Sequence, residues 1–402
     1  MTQSRSLPFA EADAQESVRN SSDNQPTAGG PANTLAAALR LCLVPGVGPR
    51  TRKALLERFG TAVAVFQAAP SDLRAVQGVG PKLVREISAA RNQIDVSQML
   101  AHCQTNQVSL LLDSEENYPR ALKEIYDPPG VLFVRGEIRP ADALAIAIVG
   151  TRHPTHYGLE QANRLAQGLA RAGYTIISGL ARGIDAAAHR GALAAGGRTL
   201  AVLGSGVLNI YPPEHVELAA EVAKNGAVIS ESPPDSPPLA GAFPQRNRIV
   251  TGMSLGVLVI EAATQSGALI SARHAMEQGR EVFAMPGRVD NRMARGCHQL
   301  IRDGATLLTS IDDLLSELNY LDGFRPQAIP DKPAQVAAGR PANLTDDEAR
   351  VFECFRGGAI LTPDALAQET SFPAAKLSAT LMMLKLKRLI AKRSDGAFEA
   401  RS

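Results

Sequence analysis

Between residues 143 and 310, short apolar runs alternate with amphipathic stretches. Runs such as LAIAIVG, YTIISG, TLAVLG and LGVLVIEA are apolar at consecutive positions rather than at every second one. Strands that are buried on both faces and separated by helices have this pattern. It therefore predicts an α/β fold of the Rossmann-like type, with a mainly parallel sheet that helices cover on both faces.

The regions on either side have helical spacing instead. Residues 34–112 predict a helical domain of the SAM-like, helix-hairpin-helix type, and they contain a short repeat, VPGVGPRTRKALL followed by VQGVGPKLVREIS. At the other end, three helix patterns and a terminal hairpin pattern predict a winged helix over 343–402. Both flanking domains are small compared with the central one.

Two segments lack any periodic pattern. Residues 1–33 are polar and almost free of large apolar side chains, which predicts a disordered tail. Residues 321–342 are rich in proline, which predicts an interdomain linker. These boundaries leave residues 113–320 for the Rossmann-like domain.

Composition narrows the class of protein only slightly. The 402 residues are 45% hydrophobic and 20% charged, with a formal net charge of +2, so any basic surface must be local. The four cysteines are far apart and form no C-x-x-C pair, which favours free thiols over a metal site. No apolar run approaches the roughly 20 residues that span a bilayer. We expect a cytoplasmic protein without a membrane segment.

Each GVGP repeat places glycines in a tight turn directly before a helix that is rich in Arg or Lys. Backbone N–H groups at such a helix start can approach a phosphate closely. The repeat therefore favours a DNA-binding helix-hairpin-helix, while a purely structural pair of helical hairpins remains open.

Phosphate-type turns follow the predicted strands of the central region. Because ligands of open α/β sheets bind at the carboxyl ends of the strands, these turns predict a small, arginine-lined pocket for an anion. The turns are Gly150-Thr151-Arg152, Ser178-Gly179 with Arg182, Gly204-Ser205-Gly206, FPQRNRIVTGMS at 243–254, and Gln265-Ser266-Gly267.

Motifs for cofactors and catalysis are missing. No complete G-x-G-x-x-G follows the first strand and no G-x-x-x-x-G-K-[ST] occurs, so we expect neither NAD nor ATP, and no cofactor or metal. Asp185 and His189 are four residues apart on a predicted helix, and Glu261 ends a strand. None of them forms an assembled active site, so the sequence predicts a protein that is not an enzyme.

Seven segments resemble the DprA/Smf family (DNA-processing protein A), and they occur in the family's order. They are GTRHPTHYG, SGLARGIDAAAH, LGSGVLNIYPPEH, FPQRNRIVTGMS, QSGALISARHA, GREVFAMPG and LIRDGA. The sequence departs from the family in two places, with prolines after Ser230-Glu231 and with His298 where the family commonly has asparagine.

The resemblance implies a single-stranded DNA-binding protein of natural transformation. Such proteins protect incoming DNA and help to load the recombinase RecA for homologous recombination, as homodimers and without an established catalytic activity. The DNA contacts that the resemblance carries over are Arg152, Ser178, Gly179, Arg182, Phe243, Arg246, Asn247, Arg248, Ser266 and Gly267.

Physical reasoning adds roles for some of these side chains. We expect Arg246 and Arg248 to contact consecutive phosphates, with Phe243 and Tyr211 as the available stacking platforms for bases. Such binding would tolerate any sequence, because phosphates carry no sequence information.

Three alternatives stay open. A phosphoribohydrolase of a related fold would use the same turns for a nucleotide 5′-phosphate, although EAATQSGALISA lacks the paired glycines and the glutamate of that motif. A second alternative is a scaffold that bridges partners and binds DNA only secondarily. In the third, the basic helix of the winged domain reads a DNA groove rather than binding a partner protein.

Overall fold

The computed structural model describes residues 31–318, 344–355, 359, 361–387, 389–392 and 396–400. The predicted linker at 321–342 and residues 1–30 of the predicted tail lie outside the described residues. The last three residues of that tail, 31–33, begin the first helix of the chain.

Six helices form the N-terminal region, and the first five surround a core of their own, which includes Leu41, Leu55 and Ile87. A Pro stands at the first position of four of the six, where its missing N–H costs nothing. The helices are α1 (Pro31–Leu43), α2 (Pro49–Phe59), α3 (Ala62–Gln67), α4 (Pro70–Arg74), α5 (Pro81–Gln93) and α6 (Val96–Thr105).

The two GVGP repeats fold in the same way. Gly46 and Gly78 have φ angles of +87° and +85°, a region that only glycine enters without strain. In each copy this glycine is followed directly by a buried valine and then by the glycine that precedes α2 or α5. The repeat in the sequence is therefore a structural repeat of two matching hairpins.

A nine-stranded sheet forms the centre of the molecule, in the order β1-β2-β6-β5-β4-β3-β7-β8-β9. Strands β3 to β9 pair in parallel, while β1 and β2 add to one edge in antiparallel pairing. The strands are β1 (Ser109–Leu112), β2 (Val131–Gly136), β3 (Ala145–Val149), β4 (Thr175–Ser178), β5 (Thr199–Val202), β6 (Gly226–Ser230), β7 (Gly256–Val259), β8 (Glu281–Ala284) and β9 (Thr306–Leu307). The sheet thus begins four residues before the predicted boundary at 113.

Helices cover both faces of the sheet, as the sequence predicted. Along β3, Ala147 and Val149 point to one helical layer, and Ile146 and Ile148 point to the other. The first layer contains α7 (Arg120–Lys123), α11 (Ala242–Gly252), α12 (Gly267–Glu277) and α13 (Arg295–Arg302), and the second contains α8 (His156–Arg171), α9 (Ile184–Ala194), α10 (Val216–Asn225) and α14 (Ile311–Glu317).

The strand order reverses between β3 and β7. The chain proceeds outward from β3 through β4 and β5 to β6, and then α11 brings it back to β7 on the other side of β3. A crevice opens at the carboxyl ends of the strands where the order reverses, and open α/β sheets bind their ligands there. The fold therefore predicts that a ligand-binding site lies at this edge of the sheet.

The N-terminal helices are fused to this sheet through a shared core. Leu39 of α1 and Cys103 of α6 pack in one cluster with Phe133 of β2 and Val228 of β6. The helical region is therefore not a loosely tethered appendage, because its own side chains complete the cover of the antiparallel edge.

The C-terminal region is a winged helix of three helices and a two-stranded hairpin, with a core that includes Val351, Leu366 and Leu381. Its elements are α15 (Asp346–Glu353), α16 (Pro363–Thr370), α17 (Ala374–Leu386), β10 (Ile390–Lys392) and β11 (Phe398–Ala400). Nowhere in the described part of the chain is a helix long and apolar enough to cross a membrane.

Candidate nucleic-acid interface

A cavity of about 540 Å³ opens at the carboxyl ends of the strands, where the strand order reverses. The turns after β3, β4 and β7 and the first half of α11 line it. Seven of the ten predicted DNA contacts meet there, namely Arg152, Gly179, Phe243, Arg246, Asn247, Ser266 and Gly267.

Arg246 forms the floor of this pocket. It is only 6% exposed, and its Nη1 donates a hydrogen bond to the carbonyl oxygen of Val202 at 2.5 Å. Its Nε has no hydrogen-bond partner within the described part of the chain. Burial lowers the pKa of Arg246 to about 10, so the group stays cationic at neutral pH. A buried cation with an unused donor suits an anion that comes from outside.

Gly179 is what allows Arg246 to lie there. A Cβ at position 179 would overlap the Arg246 guanidinium. The glycine of the SGLARG segment is therefore required for close approach, since the cation packs directly against its backbone.

The SGLARG turn is held rigid from below. The Asp185 carboxylate accepts hydrogen bonds from the backbone N–H groups of Gly179 and Ala181 at 3.1 and 3.3 Å. Burial raises the pKa of Asp185, while Arg246 and these two amides oppose the rise. Leu180 has a φ of +58°, which a buried leucine adopts only when its surroundings impose it. Asp185 thus braces the turn and offsets part of the charge of Arg246.

The other candidate acid–base groups are structural. The Nδ1 of His189 lies 2.7 Å from Thr199 Oγ1, and burial lowers the pKa of this histidine to about 3. It therefore makes no dyad with Asp185. Glu261 accepts hydrogen bonds from the N–H and the hydroxyl of Thr155, which fixes the start of α8.

An aromatic wall, formed by Tyr211 and Phe243, lines the same cavity. The rings of Tyr211 and Phe243 have centroids 5.6 Å apart, and the Arg152 guanidinium lies 5.5 Å from the Phe243 centroid. Phe243 also packs against Gly204, which explains the glycine after β5. Tyr211 lines the cavity, although the resemblance does not include it among the DNA contacts. Its place within the family-like segment LGSGVLNIYPPEH is the signal in the sequence that could have identified it.

The N-terminus of α12 closes the pocket on another side. Ser266 caps this helix, because its hydroxyl accepts a hydrogen bond from the N–H of Ala268 at 3.3 Å. Gly267 is the first helical residue and lines the cavity. The positive end of the helix dipole adds to the field of the arginines.

Three predicted contacts do not line the cavity. Ser178 is fully buried, and its hydroxyl donates to the carbonyl oxygen of Ile148 at 2.6 Å. Arg182 is half exposed and pairs with Glu214. Arg248 is on α11, two residues after Arg246, and residues two apart on a helix point in opposite directions.

The partners of Arg248 form a group that we call the charge cluster. Its guanidinium contacts the carboxylates of Asp127 at 3.2 Å and Glu231 at 2.5 Å, and nearby Arg52 of α2 contacts Asp113 at 2.5 Å. Three carboxylates face two guanidiniums in this cluster. The geometry therefore does not place Arg248 beside Arg246 on consecutive phosphates.

These features define a class: an open α/β protein with an anion pocket at the point where strand order reverses, flanked by a helix-hairpin-helix and a winged helix. The family model described as DNA recombination-mediator protein A matches residues 109–319. A SAM-like helix-hairpin-helix tandem model matches residues 38–91, and a DprA winged helix domain model matches 335–396. The chain belongs to the DNA recombination-mediator protein A family, which is the DprA/Smf family of the sequence resemblance.

Relatives of known name agree. The chain is 41% identical over 282 residues to protein Smf of Synechocystis sp.. The matched region covers 69% of this chain and 71% of the relative. It is 41% identical over 237 residues to DNA processing protein DprA of Bacillus subtilis, covering 58% and 80% of the two chains. The crystal structure of DprA from Streptococcus pneumoniae superposes with a TM-score of 0.62 at 35% identity, covering 70% of this chain and 97% of that one. Membership of this family supports the DNA interpretation over the phosphoribohydrolase alternative.

Proposed function

We propose that this protein binds single-stranded DNA in the Arg246 pocket, protects incoming strands during natural transformation, and helps to load RecA for homologous recombination. The observation that carries the proposal is the buried Arg246 guanidinium with an unused Nε beneath Gly179. A homodimeric state, a cytoplasmic location and the absence of catalysis are parts of the same proposal.

Binding follows from the residues of the pocket. Arg152 and Arg246 outnumber the single carboxylate of Asp185, so the cavity is locally cationic. A phosphate receives charge-assisted hydrogen bonds from these guanidiniums and further ones from backbone N–H groups in the glycine turns. Both kinds of donor ignore base identity, so any sequence is bound.

Single strands are favoured because of the aromatic wall. An unpaired base can leave its neighbours and stack on Phe243 or Tyr211, whereas the bases of a duplex already stack on each other. Only a single strand can therefore use the phosphate donors and the aromatic rings together.

The central experiment is a fluorescence-anisotropy titration of labelled oligo-dT over a range of KCl concentrations. For single strands, log K falls by about 0.7 per log unit of salt for each phosphate contact. We expect the slope to flatten by about that amount in Arg246→Ala, and again in Arg152→Ala, whose exposed side chain can be removed without a cavity.

Arg171→Ala is the matched control. It removes the same charge from the last turn of α8, at the opposite end of the sheet from the pocket. Unchanged slopes in both Arg152→Ala and Arg246→Ala would remove the pocket from DNA binding.

Two further measurements separate the alternatives. Incubation with AMP should release no free adenine, and release by the pure protein would restore the enzyme interpretation. A RecA pull-down should weaken when DNA is digested. Persistence of that complex without DNA, together with weak oligo-dT binding, would favour a scaffold.

A further inference from the structure

The rim of the pocket holds an ion pair that the proposed DNA contacts leave unexplained. The Nε of Arg182 donates to Glu214 Oε1, and the two side chains are 48% and 47% exposed. The pKa of Arg182 is raised mainly by Glu214 and also by Tyr211, whose side chain lines the cavity. An arginine that the family resemblance places on DNA thus meets a carboxylate beside the pocket.

The chain presents Glu214 to Arg182 in a fixed position. Glu214 lies in a short 3-10 turn, Pro213–His215, directly after the buried Pro212. The buried His215 has its Nδ1 2.9 Å from the carbonyl oxygen of Leu180, in the same turn that carries Arg182. The two ends of the pair are therefore connected through a buried contact, so the carboxylate stays near the guanidinium.

The pair nevertheless exchanges readily. Ion pairs between half-exposed groups contribute little net free energy, because water and salt compete with them. Arg248 is the contrasting case, since its side chain is 8% exposed and two carboxylates hold it. A DNA phosphate can take the place of one exposed carboxylate on Arg182 but not of the two on Arg248.

We propose that Arg182 forms a second phosphate subsite at the rim, that the Glu214 carboxylate occupies it while DNA is absent, and that DNA binding exchanges this carboxylate for a phosphate. Glu214 is then a specificity-determining residue. A free small anion must compete with a carboxylate that is held beside the guanidinium at high effective concentration. A DNA strand that already has one nucleotide in the pocket also holds its next phosphate near Arg182 at high effective concentration. The subsite therefore favours a polymer over a single phosphate, and this inference rests on the proposed DNA function.

The test is a double-mutant cycle on the full chain with labelled oligo-dT, using Glu214→Gln, Arg182→Ala and the double variant. Removal of the competing carboxylate should tighten binding about two- to fivefold at low salt, the range that a surface ion pair allows. The salt slope should steepen by about 0.7, because Arg182 then contacts phosphate without releasing a carboxylate. Arg182→Ala should weaken binding more in the Glu214→Gln background than in the unmodified chain.

The selectivity is tested with inorganic phosphate as a competitor of oligo-dT. Phosphate should displace the oligonucleotide at a severalfold lower concentration from Glu214→Gln than from the unmodified chain. An equal concentration for both proteins would show that Glu214 does not discriminate against small anions.

Glu137→Gln is the control, because it removes a carboxylate from another exposed pair, with Arg139, that does not line the cavity. Weaker binding in Glu214→Gln would make Glu214 a structural brace and overturn the exchange. If Glu214→Gln increases the affinity for oligo-dT equally with and without Arg182, the effect of Glu214 is only long-range repulsion of DNA. Either result leaves the proposed function intact, provided that Arg246→Ala still weakens the binding of oligo-dT. Failure of both Arg152→Ala and Arg246→Ala to weaken binding would instead contradict the proposed DNA site itself.

Discussion

The two sides of α11 differ in what surrounds an arginine. Each of the two arginines keeps one guanidinium nitrogen without a partner among the described residues. On one side, Arg246 faces the pocket, where cations outnumber carboxylates. On the other side, Arg248 enters the charge cluster, where three carboxylates surround two guanidiniums. One helix therefore supplies both the proposed DNA-binding group and a structural group, two residues apart.

This difference shows that the partners of an arginine, rather than its burial, decide its role. Arg246 and Arg248 are each 6% exposed. The first is available to an external anion because its environment leaves charge uncompensated, whereas the second is already neutralised. The charge cluster also connects α2, the loops after β1 and β6, and α11, so it holds the helical region against the sheet.

The largest expected effect is on the pocket side. In Gly179→Ala the new methyl group must displace the Arg246 guanidinium, so we expect about a hundredfold loss of oligo-dT affinity, about 3 kcal/mol, as for charged hydrogen bonds. Anisotropy at fixed salt measures it. Gly241→Ala is the control, since a Cβ there meets nothing within 4 Å and Gly241 does not line the cavity. Equal losses in both variants would mean that the packing of Gly179 on Arg246 does not shape the site.

The next effect is on the other side of the helix. Arg248→Ala leaves Asp127 and Glu231 without their cation, and because these carboxylates are about one-third exposed we expect unfolding in urea to become easier by about 2 kcal/mol. The salt slope of DNA binding should stay that of the unmodified chain. A flatter slope at full stability would move Arg248 from the charge cluster to the DNA.

A pH experiment sharpens the comparison further. The pKa of His189 is lowered to about 3, first by burial and then by the charge of Arg246. The unfolded chain takes up a proton near pH 6.5 that the folded chain refuses, so this contribution is complete above pH 6.5 and is lost as the pH falls toward 3. The slope is about 1.4 kcal/mol per pH unit.

Urea unfolding at pH 7.0 and pH 5.5 measures this loss. His189→Gln, which can keep the hydrogen bond to Thr199, should lose less stability than the unmodified chain between these two values. Identical losses would mean that the buried site of His189 tolerates a positive charge near Arg246.

The smallest effect concerns the docking of the first hairpin. The Arg50 guanidinium lies 4.2 Å from the ring centroid of Tyr126, an exposed cation–π contact. Arg50→Ala should lower the free energy of unfolding by about 0.5 kcal/mol. Lys82→Ala, at the matching position of the second hairpin, should leave it unchanged. A larger loss from Lys82→Ala would reverse the assignment of the docked hairpin.

The sheet was predictable because its signal is local. Runs such as LAIAIVG are apolar at every position, and only a strand that is covered on both faces uses such a run. The antiparallel strand β1 was missed as part of the sheet, since SLLL is four residues long and follows directly on a helical pattern. Short edge strands are defined by their partners, and here the paired residues of β1 and β2 are between 19 positions (Leu112 and Val131) and 25 positions (Ser109 and Val134) apart in the sequence.

The pocket was predictable in position but not in every residue. Turns after parallel strands must meet at one edge, which placed Gly179, Arg246 and Gly267 correctly. The ion pairs of Arg248 with Asp127 and Glu231 were not predicted, because pairing across such separations leaves no local trace in a single sequence. Its orientation did leave a trace, since residues two apart on a helix cannot share a face.

The shared core of Leu39, Cys103, Phe133 and Val228 has a practical consequence for dividing the protein. A truncated chain that starts at residue 113 would lose β1, expose Phe133 to water and leave Asp113 without Arg52. Such a fragment would tend to aggregate through its bare sheet edge. Loss of DNA binding by this fragment would thus report misfolding rather than a role of the hairpins in recognition. Point substitutions at exposed positions of the second hairpin are the sounder way to assign that role.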